Sequence, residues 1–310
     1  MGIIHGGDAE YEKNEPTFEE KSAKMEEKIL QALSQDPAVL KLSGQYLAND
    51  EIKALCAFEQ VRNVRLLDLS DNQINDEALQ LLFEAENLSD LEELVLSINY
   101  ITEEGGKNIA TSQSVAIKNL KTLVISDNKL TDASVQAMVQ SSHFSKVEKL
   151  DISWNEIGNG AAIAFGETGK LPNLKFLLLE RGYIDAEGVE GLLKGGVSSQ
   201  LEELDLSSNK LKDKAVVLLA QSANLSQLKV LRLSYNQFGD EGAKALGEST
   251  TLSELTHLYI GRNYFGEEGG KAIYETKTLK NLKTLMIQEG VEKTPGLVNY
   301  SRPELLRPGY

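Results

Sequence analysis

The stretch Leu67-Asp68-Leu69-Ser70-Asp71-Asn72-Gln73-Ile74 decides the architecture, because the chain repeats it almost unchanged. It returns as Leu150-Asp151-Ile152-Ser153-Trp154-Asn155-Glu156-Ile157, as Leu204-Asp205-Leu206-Ser207-Ser208-Asn209-Lys210-Leu211 and as Leu231-Arg232-Leu233-Ser234-Tyr235-Asn236-Gln237-Phe238. With the asparagine as register mark, the series runs Gln45, Asn72, Asn99, Asn128, Asn155, Gly182, Asn209, Asn236, Asn263, Gly290. Eight of its intervals are 27 residues and one is 29. A length of 310 residues would by itself suggest about two domains. A fixed period from roughly residue 37 to 292 instead describes one stack of short units.

Each unit has two periods. The Leu-x-x-Leu-x-Leu-x-x-Asn-x-Leu part alternates apolar and variable residues, as a strand with one buried face requires. A few residues later, segments such as Asp213–Leu219 and Asp240–Leu246 place small and apolar residues at helical spacing. Asn75, Thr102, Thr131 and Asp185 occupy one equivalent position ahead of these segments, and acids follow in most copies, so helices are expected to start there. Strand then helix about ten times over predicts an α/β solenoid. Strand rows lie about 4.8 Å apart and a helix is about 10 Å across, so the stack curves into a horseshoe with the parallel sheet inside and the helices outside. Residues 1–36 fall outside the period. Phe18, Met25, Ile29, Leu30 and Leu33 read as an amphipathic helix capping the open end. The repeat domain is expected over 37–292, and 293–310, which carries Pro295, Pro303 and Pro308, as an extended tail.

On these residues the chain resembles leucine-rich repeat proteins of the ribonuclease-inhibitor type. The resemblance implies a concave strand face used for protein binding, a convex helical face, and an asparagine ladder that satisfies backbone groups of the neighbouring turn. Gln45, Gly182 and Gly290 depart from that ladder.

Composition narrows the function. Lys and Arg number 32 against 47 Asp and Glu, a net charge of −15, the wrong sign for a general phosphate-backbone binder, so no nucleic acid is expected. No apolar run approaches the ~18 residues of a membrane span, and no signal peptide is legible. The single cysteine, Cys56, permits no internal disulfide, so a reducing, cytoplasmic compartment is expected; the expected oligomeric state is a monomer. Three histidines and one cysteine are too few for a zinc cluster or a Cys/His nucleophile pair, so neither metal nor cofactor is expected, and no enzyme. Gly106-Lys107, Gly169-Lys170 and Gly270-Lys271 lack the following Ser or Thr of a phosphate loop and read as repeat and loop glycines. Asp68, Asp151 and Asp205, at one strand position, read as a solvated face.

The binding residues follow from strand geometry. Counting the first repeat leucine as one, positions three, five and seven point away from the core, with position eight on the same side. Trp154, the chain's one tryptophan, falls at position eight, with Phe176 and Leu178 on the next strand and Arg181 beside it. Arg232, Tyr235, His257, Tyr259 and Arg262 lie further along. Tryptophan, tyrosine and arginine dominate interface energetics, so these nine residues are the candidate protein-binding face. Tyr100, Tyr183 and Tyr264 extend it toward the turns. Asp68, Asp71, Glu93, Asp127 and Asp151 make the early half acidic. The function expected is a non-enzymatic scaffold that clamps a folded protein and regulates or inhibits it. The alternatives are a GTPase activator, since the Ran GTPase-activating proteins resemble these repeats although their acidic C-terminal tract is missing here, and a bacterial effector arm acting in a host cytosol.

Overall fold

The computed structural model describes residues 16–287. Gly290 and the tail expected at 293–310 lie outside the described residues. Ten strands form one open sheet in chain order: β1 (Val39–Lys41), β2 (Leu66–Asp68), β3 (Glu93–Val95), β4 (Thr122–Val124), β5 (Lys149–Asp151), β6 (Phe176–Leu178), β7 (Glu203–Asp205), β8 (Val230–Arg232), β9 (His257–Tyr259) and β10 (Thr284–Met286). Every neighbouring pair is parallel and in step, Leu40 beside Leu67, Leu67 beside Leu94, and so on to Leu258 beside Leu285. Each strand covers positions three to five of its unit. The leucines at positions four and six turn inward and are buried, as Leu67, Leu69, Leu204 and Leu206 show.

A first helix, α1 (Phe18–Leu33), precedes the sheet. Between consecutive strands run α2 (Asn49–Ala57), α3 (Asp76–Glu84), α4 (Glu103–Thr111), α5 (Asp132–Gln140), α6 (Asn159–Glu167), α7 (Ala186–Leu192), α8 (Lys212–Gln221), α9 (Asp240–Glu248) and α10 (Glu267–Tyr274). Among the described residues there are thus ten strands but nine repeat helices. The wider helical layer forms the convex side and the sheet the concave side of the solenoid.

The asparagine ladder welds unit to unit. Asn155 Oδ1 accepts the Leu130 N–H of the preceding unit at 2.9 Å, while its Nδ2 donates to the carbonyls of Ile125 and Ile152 at 3.0 Å. Asn72, Asn99, Asn128, Asn209, Asn236 and Asn263 are buried in the same role. Gln45, the departure at the open end, turns outward to accept a hydrogen bond from Lys28 Nζ of α1 at 2.9 Å. At the other departure, a Cβ on Gly182 would stand 2.8 Å from the Ile157 carbonyl oxygen, so that turn is drawn tight where the amide is missing.

A second ladder runs along the helix starts. Asn75, Thr102 and Asp185 cap their own helices as expected, accepting the N–H groups of Ala78, Glu104 and Glu187. The acids that follow in the first turn do something further, since they reach across to the next unit. Asp132 Oδ1 accepts the Gly158 N–H at 2.6 Å and its Oδ2 that of Gly160 at 3.0 Å. Asp213 binds Gly239 and Gly242, and Asp240 binds Gly266 and Gly269, each at 2.8 Å. The three helices that start on a glycine, α6, α9 and α10, are therefore capped by the preceding unit.

Helix α1 begins with a capping box between Thr17 and Glu20. It packs Met25 and Ile29, both buried, against the first unit, with Lys21 bonded to Asp50 at 2.7 Å. Phe18 and Leu30, expected on the same apolar face, point outward and are 39% and 50% exposed.

Candidate protein-binding face

The side chains free of the core lie on the strands at positions three and five and in the turn just beyond. On the strands they are half-buried, because each is flanked by its neighbours in adjacent rows about 4.8 Å away. Phe176 and Leu178 on β6, Arg232 on β8, and His257 and Tyr259 on β9 all have this partial exposure. The turn residues stand clear. Trp154 is 42% exposed and Tyr235 47%, and Arg181 and Arg262 are exposed as well.

Backbone geometry produces the difference. Position eight adopts left-handed conformation in unit after unit, with φ between 52° and 65° for Gly44, Asp71, Ile98, Asp127, Trp154, Arg181, Ser208, Tyr235 and Arg262. This turn takes the chain off the strand and aims the side chain outward at the sheet's C-terminal edge. Position ten, one residue past the asparagine, is also exposed, at Tyr46, Tyr100, Tyr183, Lys210 and Tyr264. Among the described residues nine large apolar side chains are exposed, and all but Phe18 and Leu30 occupy position eight or ten. The exposed apolar surface is therefore a rim. Position seven, expected to face outward, is often covered, for Ser153, Ser207 and Ser234 are buried against the ladder turn.

The candidate residues pair across neighbouring units. Arg181 Cζ lies 3.8 Å from the centre of the Trp154 ring, Arg232 Cζ 4.1 Å from that of Tyr259, and Arg262 Cζ 5.9 Å from that of Tyr235. Lys210 Nζ stands 4.8 Å over Tyr183. His257 shares a hydrogen bond between its Nδ1 and Thr256 Oγ1 at 2.8 Å. Arg232 is held on the strand floor, its Nε 3.0 Å from Glu203 and 3.8 Å from Asp205. Burial opposes its charge, but the Glu203 bond and the neighbouring negative charges hold its guanidinium above the usual range.

Asp205 corrects the expectation of a solvated acidic row. It is buried beneath this cluster and accepts the Ser207 N–H at 2.8 Å. Burial pushes its carboxyl up to about 6, with the negative charge of Glu180 adding to the rise and the Ser207 bonds and Arg232 opposing it. Sequence reading did not single out Tyr46 or Lys210. Their signal in the sequence is their shared place one residue past the ladder position, at Gln45 and Asn209.

An open parallel sheet of strand–turn–helix units, welded by buried asparagines, defines the leucine-rich repeat class. The family model described as "Leucine Rich repeat" matches residues 62–83, 116–139, 145–166, 197–220 and 225–247. The chain is a leucine-rich repeat protein of the ribonuclease-inhibitor type. It is 33% identical to the ribonuclease inhibitor of Mus musculus over 139 residues, which are 43% of this chain and 30% of the inhibitor's length. Among solved structures, the TLR13–ssRNA13 complex is similar with a TM-score of 0.47 at 20% identity, over 78% of this chain and 34% of that one. The leucine-rich repeat domain of APL1B is similar with a TM-score of 0.46 at 17% identity, over 84% and 71%. Neither likeness bears on a ligand. Among the described residues no group of three or more His, Cys, Asp or Glu is placed to hold a metal ion, and no helix is long and apolar enough to cross a membrane.

Proposed function

We propose that this chain is a non-enzymatic scaffold that holds a folded protein against its concave face and rim, and that covering the partner's surface inhibits or regulates it. One observation carries the reading. Seven of the nine exposed large apolar side chains converge on one edge of the sheet, and the aromatic ones among them at Trp154, Tyr183 and Tyr235 are each stacked with a cation. Exposed apolar side chains gathered along one edge mark a binding surface, and a stiff solenoid avoids part of the ordering cost of association. The inhibitor likeness supports the same class of activity over the stretch it covers. We further place the protein in the cytosol as a monomer. The single Cys56 suits a reducing compartment, its thiol pushed up to about 12 by burial and so unreactive.

The test is capture from lysate by the tagged full chain, with bound proteins identified by mass spectrometry. Proteins held by the wild type are expected to be lost with Trp154→Ala combined with Tyr235→Ala. An unchanged set of bound proteins would overturn the assignment of the face. Arg232 is a poorer choice, because its removal strands Glu203 and Asp205.

A further inference from the structure

The rim has a chemical bias that runs against the chain. Net charge is −15 overall, yet from Trp154 to Tyr264 the charged residues at positions eight and ten are Arg181, Lys210 and Arg262 against Glu156 alone. The early rim shows the reverse, Asp71 and Asp127 against Lys129. A shallow depression of ≈ 590 Å³ lies on the late rim between Trp154, Arg181, Lys210 and Tyr235, with Glu180 as its one carboxylate.

Two of these cations are uncommitted. Arg232 is engaged by Glu203 and Asp205 on the strand floor, whereas Arg181 and Lys210 are exposed and, among the described residues, their side chains meet the rings of Trp154 and Tyr183 without a hydrogen bond or ion pair to any other group. A guanidinium stacked on an aromatic face keeps its N–H edge free, in the planar arrangement that meets a carboxylate with two hydrogen bonds. The ring beneath holds that edge in place and presents apolar surface beside it.

We infer that the late rim takes an acidic segment of the protein partner, carboxylates meeting Arg181 and Lys210 while apolar side chains lie on Trp154 and Tyr235. This rests on the protein-binding reading and adds the chemistry of what is bound. The acidic early rim repels the same segment, which fixes the orientation of the partner along the arc.

Trp154 is the only tryptophan in the chain, so its fluorescence reports the site directly. The probe is a short capped peptide alternating glutamate and leucine, titrated into the full chain at low salt. Saturable change in Trp154 emission is expected, weakening by at least about tenfold in ~1 M salt, where screening shortens to ~3 Å. Arg181→Glu with Lys210→Glu should weaken binding by about tenfold or more, as removal of charge-assisted pairs does. Both side chains are exposed, so folding is retained, and Lys24→Glu on the exposed side of α1, outside the rim, should leave binding unchanged. An unmoved emission, equal binding of the matching lysine–leucine peptide or of a single-stranded DNA oligomer, or an indifferent double variant would overturn the proposal. If lysate capture still depends on Trp154 while the acidic peptide fails, the protein-binding reading stands and acid recognition falls.

Discussion

Asn155 uses both ends of its amide on backbone groups of neighbouring units, so its removal leaves buried donors and acceptors unpaired at once. Each such group costs about 1–3 kcal/mol, and Asn155→Ala is expected to lower stability by at least about 2 kcal/mol in urea unfolding. Asp205 behaves differently. Its carboxyl sits at about 6 in the folded chain against an ordinary 3.8, so folding favours the protonated form. Its contribution to stability is therefore greatest below about pH 4 and falls as pH rises to about 6. Asp205→Asn keeps an acceptor for the Ser207 N–H, and should raise the urea midpoint near pH 7 and remove this residue's share of the slope between about pH 4 and 6. An unchanged slope would put that titration on another group. The two residues differ in legibility. The role of Asn155 is carried by its own place in the repeat, but the burial of Asp205 depends on which side chain the next strand happens to bring, here Arg232.

At the scale of the element, the unit of helix initiation is a pair of neighbouring repeats. Asp132 caps α6, not the helix it begins, and Gly160 leaves room for it, since a Cβ there would stand 2.6 Å from Asp132 Oδ2. The same exclusion holds for Gly105 against Asp76 at 2.3 Å and Gly269 against Asp240 at 2.7 Å. Gly160→Ala should cost about 1–2 kcal/mol by losing the cap, and the cost should shrink when Asp132 is already Ala. Additive effects in this double-mutant cycle would separate the two residues. Sequence reading recognised the strands, the helix segments and their caps from period and residue type. It assigned the first-turn acids to their own helices because the handbreadth between an aspartate and its glycine in the next unit becomes contact only once the units are stacked. Gly105 and Gly269 follow from that stacking.

At the scale of the whole molecule, each unit touches only its neighbours, so stability is local along the arc. Ile29→Asp in α1 is expected to speed amide exchange in β1 and α2 while leaving β7 to β9 protected, as hydrogen exchange with mass spectrometry would show. Uniform loss of protection would mean the stack unfolds as one body. The arc and its order were legible because the repeat is long and regular. The shift of exposed surface from the strand floor to the rim was not, because it depends on a left-handed turn at position eight that carries no glycine signature after Gly44. Eight residues with side chains hold that conformation, each at roughly 1–2 kcal/mol, a sum of the same order as the ~5–15 kcal/mol that keeps a typical domain folded. Glycine at any of them would relax the backbone and remove a rim side chain, so on the proposed binding role thermal tolerance and grip are set against each other along this edge. A thermostabilised Arg181→Gly chain should melt later and hold its partner less well.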